Sequence, residues 1–218
     1  MNYNQMKKVL IIVSLVVNSV CSYAQSLEEQ LTQVYVMMDT AKTVPTVTEV
    51  ASQFELIAMM NPESYISNYY ATVSKALLSY TGKNQKLRDE LLDMANQYYE
   101  KAKAIEPSNQ ENFILGALLA NARLSVDGGS RWKEQGEIFE KNLTSARSIN
   151  PNNPRIAHLK GVAVYFTPKM FGGGKKNALE YLLKSEEQFK SETETSVLKP
   201  HWGATRNAYF IGLCQEGK

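Results

Sequence analysis

Three prolines divide most of this chain into segments of nearly equal length. Pro62, Pro107 and Pro151 lie 45 and 44 residues apart, and each follows a helix-forming run with an alanine four or five residues earlier. Repetition at this period is typical of stacked helical units, in which each unit buries its apolar face only against its neighbours. The sequence therefore predicts an array of paired helices, an architecture that binds other molecules more often than it catalyses reactions.

The first 24 residues have the composition of an export signal. Two lysines precede a nine-residue apolar stretch, Val9–Val17, and Ser22-Tyr-Ala24 then places small residues where a signal peptidase reads them. Nine apolar residues are too few to span a bilayer, which needs about 20. We therefore expect residues 1–24 to be a signal peptide cleaved between Ala24 and Gln25. The mature domain, residues 25–218, is then secreted or periplasmic.

Charge and cysteine content exclude several classes of protein. The whole chain has a formal net charge of +2, and the predicted signal peptide holds two lysines and no acidic residue, so the mature chain is neutral. A neutral chain has no bulk attraction for nucleic acid or anionic lipid. Cys214 is the one cysteine left after cleavage, which excludes an internal disulfide. Cys21 leaves a lipoprotein as an alternative, although Val20 stands where lipid modification requires a small residue.

Helix-start signals open the mature chain. Ser26 and Glu29 have the spacing of a capping box before an apolar run of helical period. Thr46 and Glu49 predict a second capping box, directly after a break at Pro45. No stretch alternates with a two-residue period for long enough to predict a strand.

The repeated unit resembles the tetratricopeptide repeat. In the unit that ends at the second proline, Ala95, Tyr99 and Ala102 occupy that family's small, aromatic and small positions. Gly116 and Gly161 lie near the glycine at which the family's paired helices approach closely. The resemblance implies an all-α fold, a right-handed α-α superhelix of helical hairpins with an elongated repeat. The period of about 45 exceeds the family's about 34, and HEAT-like repeats of about 40–47 residues remain an alternative.

The extra length is predicted to lie between the two helices of each pair, where glycine-rich turns occur at 127–130 and 167–174. The second turn ends in Phe171-Gly-Gly-Gly-Lys-Lys176, and glycines followed by lysines at a helix start suit an anion. The nucleotide-binding loop needs glycine and serine or threonine at the places that Lys169 and Lys176 occupy. We therefore favour a solvated turn over a phosphate site.

No catalytic or metal-binding constellation emerges from the sequence. His158 and His201 are the two histidines of the chain, and neither has an acidic or cysteine partner at helical spacing. The chain has no Gly-x-Ser-x-Gly elbow for nucleophilic catalysis. We therefore expect no enzyme activity, no cofactor and no metal site.

Aromatic residues point to a binding surface. Twelve tyrosines and two tryptophans exceed the needs of a tight helical core. In related repeat arrays the first helices of each pair line a concave groove, and the resemblance implies the same here. The candidate groove residues, mostly apolar or aromatic with a few hydrogen-bonding groups, are Tyr69, Ile114, Leu118, Asn121, Arg155, His158, Val162, Tyr165, Trp202, Arg206 and Asn207.

Two functions fit this surface. The first is a secreted or periplasmic module that binds a protein or peptide segment on its concave face, with no nucleic-acid partner and no membrane insertion after signal cleavage. The alternative is an envelope carrier of a small ligand, with a pocket near Tyr165, His158 and Trp202. The identity of the partner and the oligomeric state do not follow from the sequence.

Overall fold

The computed structural model describes residues 25–216, and within that range the protein is built from helices packed in consecutive pairs. The described part of the chain has nine α-helices and one short 3-10 helix, and it contains no strand. The helices are α1 Leu27–Thr40, α2 Val44–Met60, α3 Tyr65–Ser79, α4 Gln85–Ile105, α5 Glu111–Val126, α6 Gly128–Ile149, α7 Pro154–Phe166, the 3-10 helix Lys169–Phe171, α8 Lys175–Lys190 and α9 Ala204–Gln215. The predicted all-α repeat fold is confirmed. The predicted signal peptide lies outside the described residues.

Side-chain caps set the helix starts. The Glu29 amide donates to the Ser26 hydroxyl at 3.2 Å and the Ser26 amide donates to the Glu29 carboxylate at 2.9 Å, which confirms the first capping box. The second capping box was predicted at the wrong residues. Thr43 caps α2 with Thr46 as its partner, so Pro45 lies in the first helical turn. Proline is tolerated there because the amides of the first turn have no partner within the helix.

In two of the repeats the extra length lies in the helices and not, as predicted, between them. The helices α3 and α4 have 15 and 21 residues, and α5 and α6 have 16 and 22. Each of these two pairs alone exceeds a repeat of about 34 residues. The prediction of a turn at 127–130 is wrong, because Asp127 caps α6 by accepting a hydrogen bond from the Ser130 amide at 3.2 Å. Gly128 and Gly129 are therefore the first residues of a helix.

Glycines allow the two helices of a pair to approach closely, as predicted. A Cβ atom added at Gly161 in α7 would lie 2.8 Å from the side chain of Leu182 in α8. A Cβ atom added at Gly116 in α5 would lie 2.7 Å from the amide oxygen of Asn142 in α6. These short separations show that the helices of each pair pack with the glycine backbone at the contact.

The segment between α8 and α9 crosses back over the early helices of the array. We call residues 191–203 the return segment. The Tyr70 hydroxyl in α3 donates to the carbonyl oxygen of Lys199 at 3.1 Å, and the Tyr35 hydroxyl in α1 donates to that of His201 at 2.7 Å. These bonds tie the C-terminal part of the described chain to its first helices.

The substitution Gly161→Ala tests the close packing of α7 on α8, with Gly136→Ala as the matched control. The new methyl group at position 161 meets the buried Leu182 side chain, so we expect a loss of about 1–3 kcal/mol in the free energy of unfolding. Gly136 lies inside α6 with nothing within 4 Å of an added Cβ atom. The same change there removes a flexible residue from a helix, and we expect a gain of about 0.5–1 kcal/mol. Urea unfolding measures both values, and equal effects would contradict the packing described.

Candidate ligand-binding cavity

A large cavity lies where the ends of the first helices meet the last helix. Its volume is about 1270 Å³, and its walls come from the end of α3, the second half of α5, the start of α6, the end of α7, the following turn and α9. Most of the wall is apolar. Seven aromatic side chains contribute to it: Tyr80, Trp132, Tyr165, Phe166, Phe171, Tyr209 and Phe210.

Four of the seven rings, those of Tyr165, Phe166, Tyr209 and Phe210, contact one another, and several of the seven are exposed. The Phe210 ring centre lies 5.5 Å from that of Tyr165 and 6.0 Å from that of Phe166, both in edge-to-face geometry. Trp132, Phe166 and Phe171 are 66%, 69% and 72% exposed. Large apolar side chains clustered at an opening are typical of binding surfaces, so this cavity is the candidate site.

The turn after α7 places Phe171 at the cavity through its three glycines. Gly172 and Gly174 have φ angles of +82° and +97°, a region that favours glycine. A Cβ atom added at Gly173 would collide with the carbonyl group of Thr167. The amides of all three glycines donate to carbonyl oxygens of this turn and of α7. They are therefore not available to hold an anion, which argues against the phosphate-loop hypothesis.

The polar groups of the cavity are few. Arg206 is the one charged side chain among the described lining residues. Its guanidinium carbon lies 5.5 Å from the ring centre of Tyr80 and 5.6 Å from that of Phe210. Burial lowers the pKa of Arg206, but a guanidinium group stays charged in proteins. The Asn121 amide donates to the Tyr80 hydroxyl at 3.3 Å, and burial raises the pKa of Tyr80, which keeps that hydroxyl protonated.

The structure divides the eleven candidate groove residues between two places. Four of them line the cavity: Asn121, Val162, Tyr165 and Arg206. The other seven are buried and lie outside the cavity lining: Tyr69, Ile114, Leu118, Arg155, His158, Trp202 and Asn207. The pocket that the carrier hypothesis placed near Tyr165, His158 and Trp202 therefore has only Tyr165 in common with the observed cavity.

Several of the buried candidates hold the return segment in place. The Trp202 indole donates to the Tyr69 hydroxyl, which donates to the Glu111 carboxylate at 2.6 Å. The Arg155 guanidinium donates to the Glu192 carboxylate at 2.8 Å and to a carbonyl oxygen of the return segment at 2.9 Å. These side chains already have partners within the protein, so their observed role is to fasten the return segment to α3, α5 and α7.

His158 is enclosed by the same packing. Its side chain is 1% exposed, its Nδ1 lies 3.2 Å from the Asn207 side-chain oxygen, and its ring meets the Trp202 indole edge to face. Burial is the main cause that lowers the pKa of His158 to about 3. His158 is therefore neutral at physiological pH and does not face the cavity.

Sequence reasoning missed six of the seven cavity aromatics, finding only Tyr165. Candidates were chosen by helical register on the first helices and α9, whereas the missed aromatic residues lie at the ends of α3 and α7, at the start of α6, in one turn and at two other positions of α9. One signal was present in the sequence. Phe171 lies within a turn that was expected to be solvated. A large apolar side chain is unusual at such a position unless it packs against another group.

The fold and the cavity together define an all-helical repeat protein with a large aromatic cavity. Among solved structures, the chain is similar to the HusA haemophore from Porphyromonas gingivalis, with a TM-score of 0.70 and 26% sequence identity. The similarity covers 89% of this chain and 94% of that one. No family model matches the chain, and no curated protein matches it. Within residues 25–216, no helix combines the length and apolarity needed to cross a membrane.

The buried His158 predicts a loss of stability in acid. The unfolded histidine takes up a proton near pH 6.5 and the folded one only near pH 3, so stability is complete above pH 6.5 and falls as the pH decreases between these values. Between pH 7 and pH 5 this group should cost about 2 kcal/mol. His158→Gln, which cannot titrate, should flatten the pH dependence of urea unfolding by that amount. An unchanged slope in the variant would show that His158 is not buried as a neutral group.

Proposed function

We propose that this protein is an exported carrier that binds haem, or a closely related flat tetrapyrrole, in the aromatic cavity. The observation that carries the proposal is the cavity itself, a space of about 1270 Å³ walled by seven aromatic side chains. Pockets for drug-sized ligands measure about 300–1,000 Å³, so this space suits a larger apolar ligand. Flat aromatic ligands stack well against such side chains. The similarity to a haemophore supports this ligand class.

Burial of the exposed rings supplies the binding energy in this proposal. Burial of apolar surface contributes about 25 cal/mol per Å², so covering about 100 Å² of one ring contributes about 2.5 kcal/mol. Trp132, Phe166 and Phe171 are each about two-thirds exposed or more, so a bound ligand would cover an area of this size on each ring. Three such rings provide enough energy for a flat ligand to be held without a covalent bond.

Haem is cargo in this proposal, and the iron has few available ligands. The described lining residues include no histidine, cysteine or methionine. Tyr80, Tyr165 and Tyr209 are the lining residues of a type that ligates haem iron in other proteins. Binding through stacking and burial suits a carrier, which must also release its cargo. The proposal assigns no catalytic step to the protein.

The cavity and the haemophore similarity favour the carrier over a module that binds peptides on its concave face. The peptide-binding hypothesis placed its groove on residues such as Tyr69 and Arg155. The return segment lies against these residues, and both are buried. A peptide could reach them only after displacing a segment held by buried hydrogen bonds.

The export part of the proposal rests on the predicted signal peptide.

Titration of the mature protein with haemin tests the proposal through the Soret absorption band. We expect a saturable spectral change with one haemin per protein. Trp132→Ala and Phe166→Ala should each weaken binding about ten- to a hundredfold, because each removes a ring that the ligand covers. Both side chains are exposed without ligand, so the melting temperature of the unliganded protein should change little.

The matched control is Met59→Ala. Met59 is as exposed as Trp132 but belongs to α2, away from the cavity lining. This variant should bind haemin as the wild type does. The absence of a saturable Soret change, or an equal loss in the Met59 variant, would contradict haem binding in the cavity.

A further inference from the structure

Arg206 differs from Arg131 and Arg155 because it lacks an acidic partner. Arg155 donates to Glu192 at 2.8 Å, and Arg131 donates to Asp89 at 2.6 Å. Within residues 25–216, no carboxylate lies within 4.0 Å of the Arg206 guanidinium. Its neighbours are the rings of Tyr80 and Phe210, which attract a cation but do not neutralise it.

The surroundings of Arg206 leave its charge unmatched. The helices packed around it contribute neutral side chains to the cavity, among them Asn121 from α5 and Val162 from α7. Arg206 is half-buried, and a charged group with apolar neighbours is more stable when it is paired and hydrogen-bonded. A ligand that carries an anionic group would supply the missing partner at this point of the wall.

We propose that Arg206 binds a carboxylate group of the ligand, so that the cavity selects large apolar ligands that carry a carboxylate. This inference rests on the proposed function, since haem is an apolar macrocycle with carboxylates along one edge. The planar guanidinium group matches the two oxygens of a carboxylate. The Tyr80 hydroxyl accepts a hydrogen bond from Asn121 and keeps its own proton to donate to the same group.

A carboxylate fits this position better than a phosphate does. Phosphate sites commonly combine several cations with free backbone amides. Arg206 is the one cation of the described lining, and the nearby amides of Gly172, Gly173 and Gly174 are bonded to carbonyl oxygens. The geometry therefore provides one guanidinium group, whose paired N–H donors match one planar carboxylate.

The test compares haemin with haemin dimethyl ester, in which both carboxylates are neutral. The ester is the more apolar ligand, so hydrophobic burial alone would favour it. We expect the wild-type protein to bind haemin about ten- to a hundredfold more tightly than the ester, because a hydrogen bond to a charged group typically has that effect. Soret titration at pH 7 gives both affinities, and this comparison needs no variant that must fold.

Variants then assign the preference to Arg206. Arg206→Met keeps the apolar stem and removes the charge, and its affinities for haemin and the ester should converge. Arg206→Lys keeps the charge but lacks the paired donors of the guanidinium group, so it should retain part of the preference for haemin over the ester. Lys169→Met is the control, because Lys169 is an exposed cation beside the Phe171 turn that does not line the cavity. It should keep the full preference.

The outcomes separate this inference from the proposed function. Tight and equal binding of haemin and its ester by the wild type would overturn the role of Arg206 and leave the carrier proposal standing. Binding of neither ligand would overturn both. A preference that survives in Arg206→Met, or that disappears in Lys169→Met, would overturn the assignment to Arg206.

Discussion

The hydrogen bond from the Trp202 indole to the Tyr69 hydroxyl is the contact on which the rest of the arrangement depends. Both side chains are buried, and the Tyr69 hydroxyl in turn donates a hydrogen bond to the Glu111 carboxylate. An unpaired polar group at this depth would cost about 1–3 kcal/mol, so the network strongly favours one position of the return segment. Gly203 follows with a φ angle of +116°, which turns the chain sharply into α9. The network thereby sets where the last helix begins.

The position of α9 completes the wall of the aromatic cavity. Arg206, Tyr209 and Phe210 all belong to this helix, and Phe210 packs on the rings of α7. The return segment covers the first helices around Tyr69 and Arg155 and is hydrogen-bonded to them. At the other ends of these helices, aromatic side chains stay exposed around the cavity. The same repeat array is therefore covered by the return segment at one face and has exposed aromatic rings at the cavity. A carrier of an apolar molecule needs both properties, a stable interior and an apolar surface that the cargo covers.

The sequence predicts the local structure well and the site only in part. The capping box at Ser26 follows from a local pattern, because a cap acts on neighbouring residues, whereas the close approach at Gly161 was implied by the resemblance to the tetratricopeptide repeat. The start of α6 was misplaced because Asp127 acts as a cap and its two glycines are helical. Seven of the eleven candidate site residues lie elsewhere, because helical register shows which side chains share a face but not what covers that face. The return segment has no helical period, so its path over α3 could not be predicted. The tetratricopeptide assignment stays a prediction.

Hydrogen exchange with and without haemin would test the carrier proposal most directly. We predict slower amide exchange on binding in residues 121–132, 162–171 and 204–213, which surround the cavity. We predict no change in residues 65–73, 153–158 and 196–203, where the return segment is already bonded to the first helices. Protection confined to the second group, or faster exchange of the return segment on binding, would mean that the ligand displaces this segment. The ligand would then bind the concave face, which would contradict binding in the aromatic cavity.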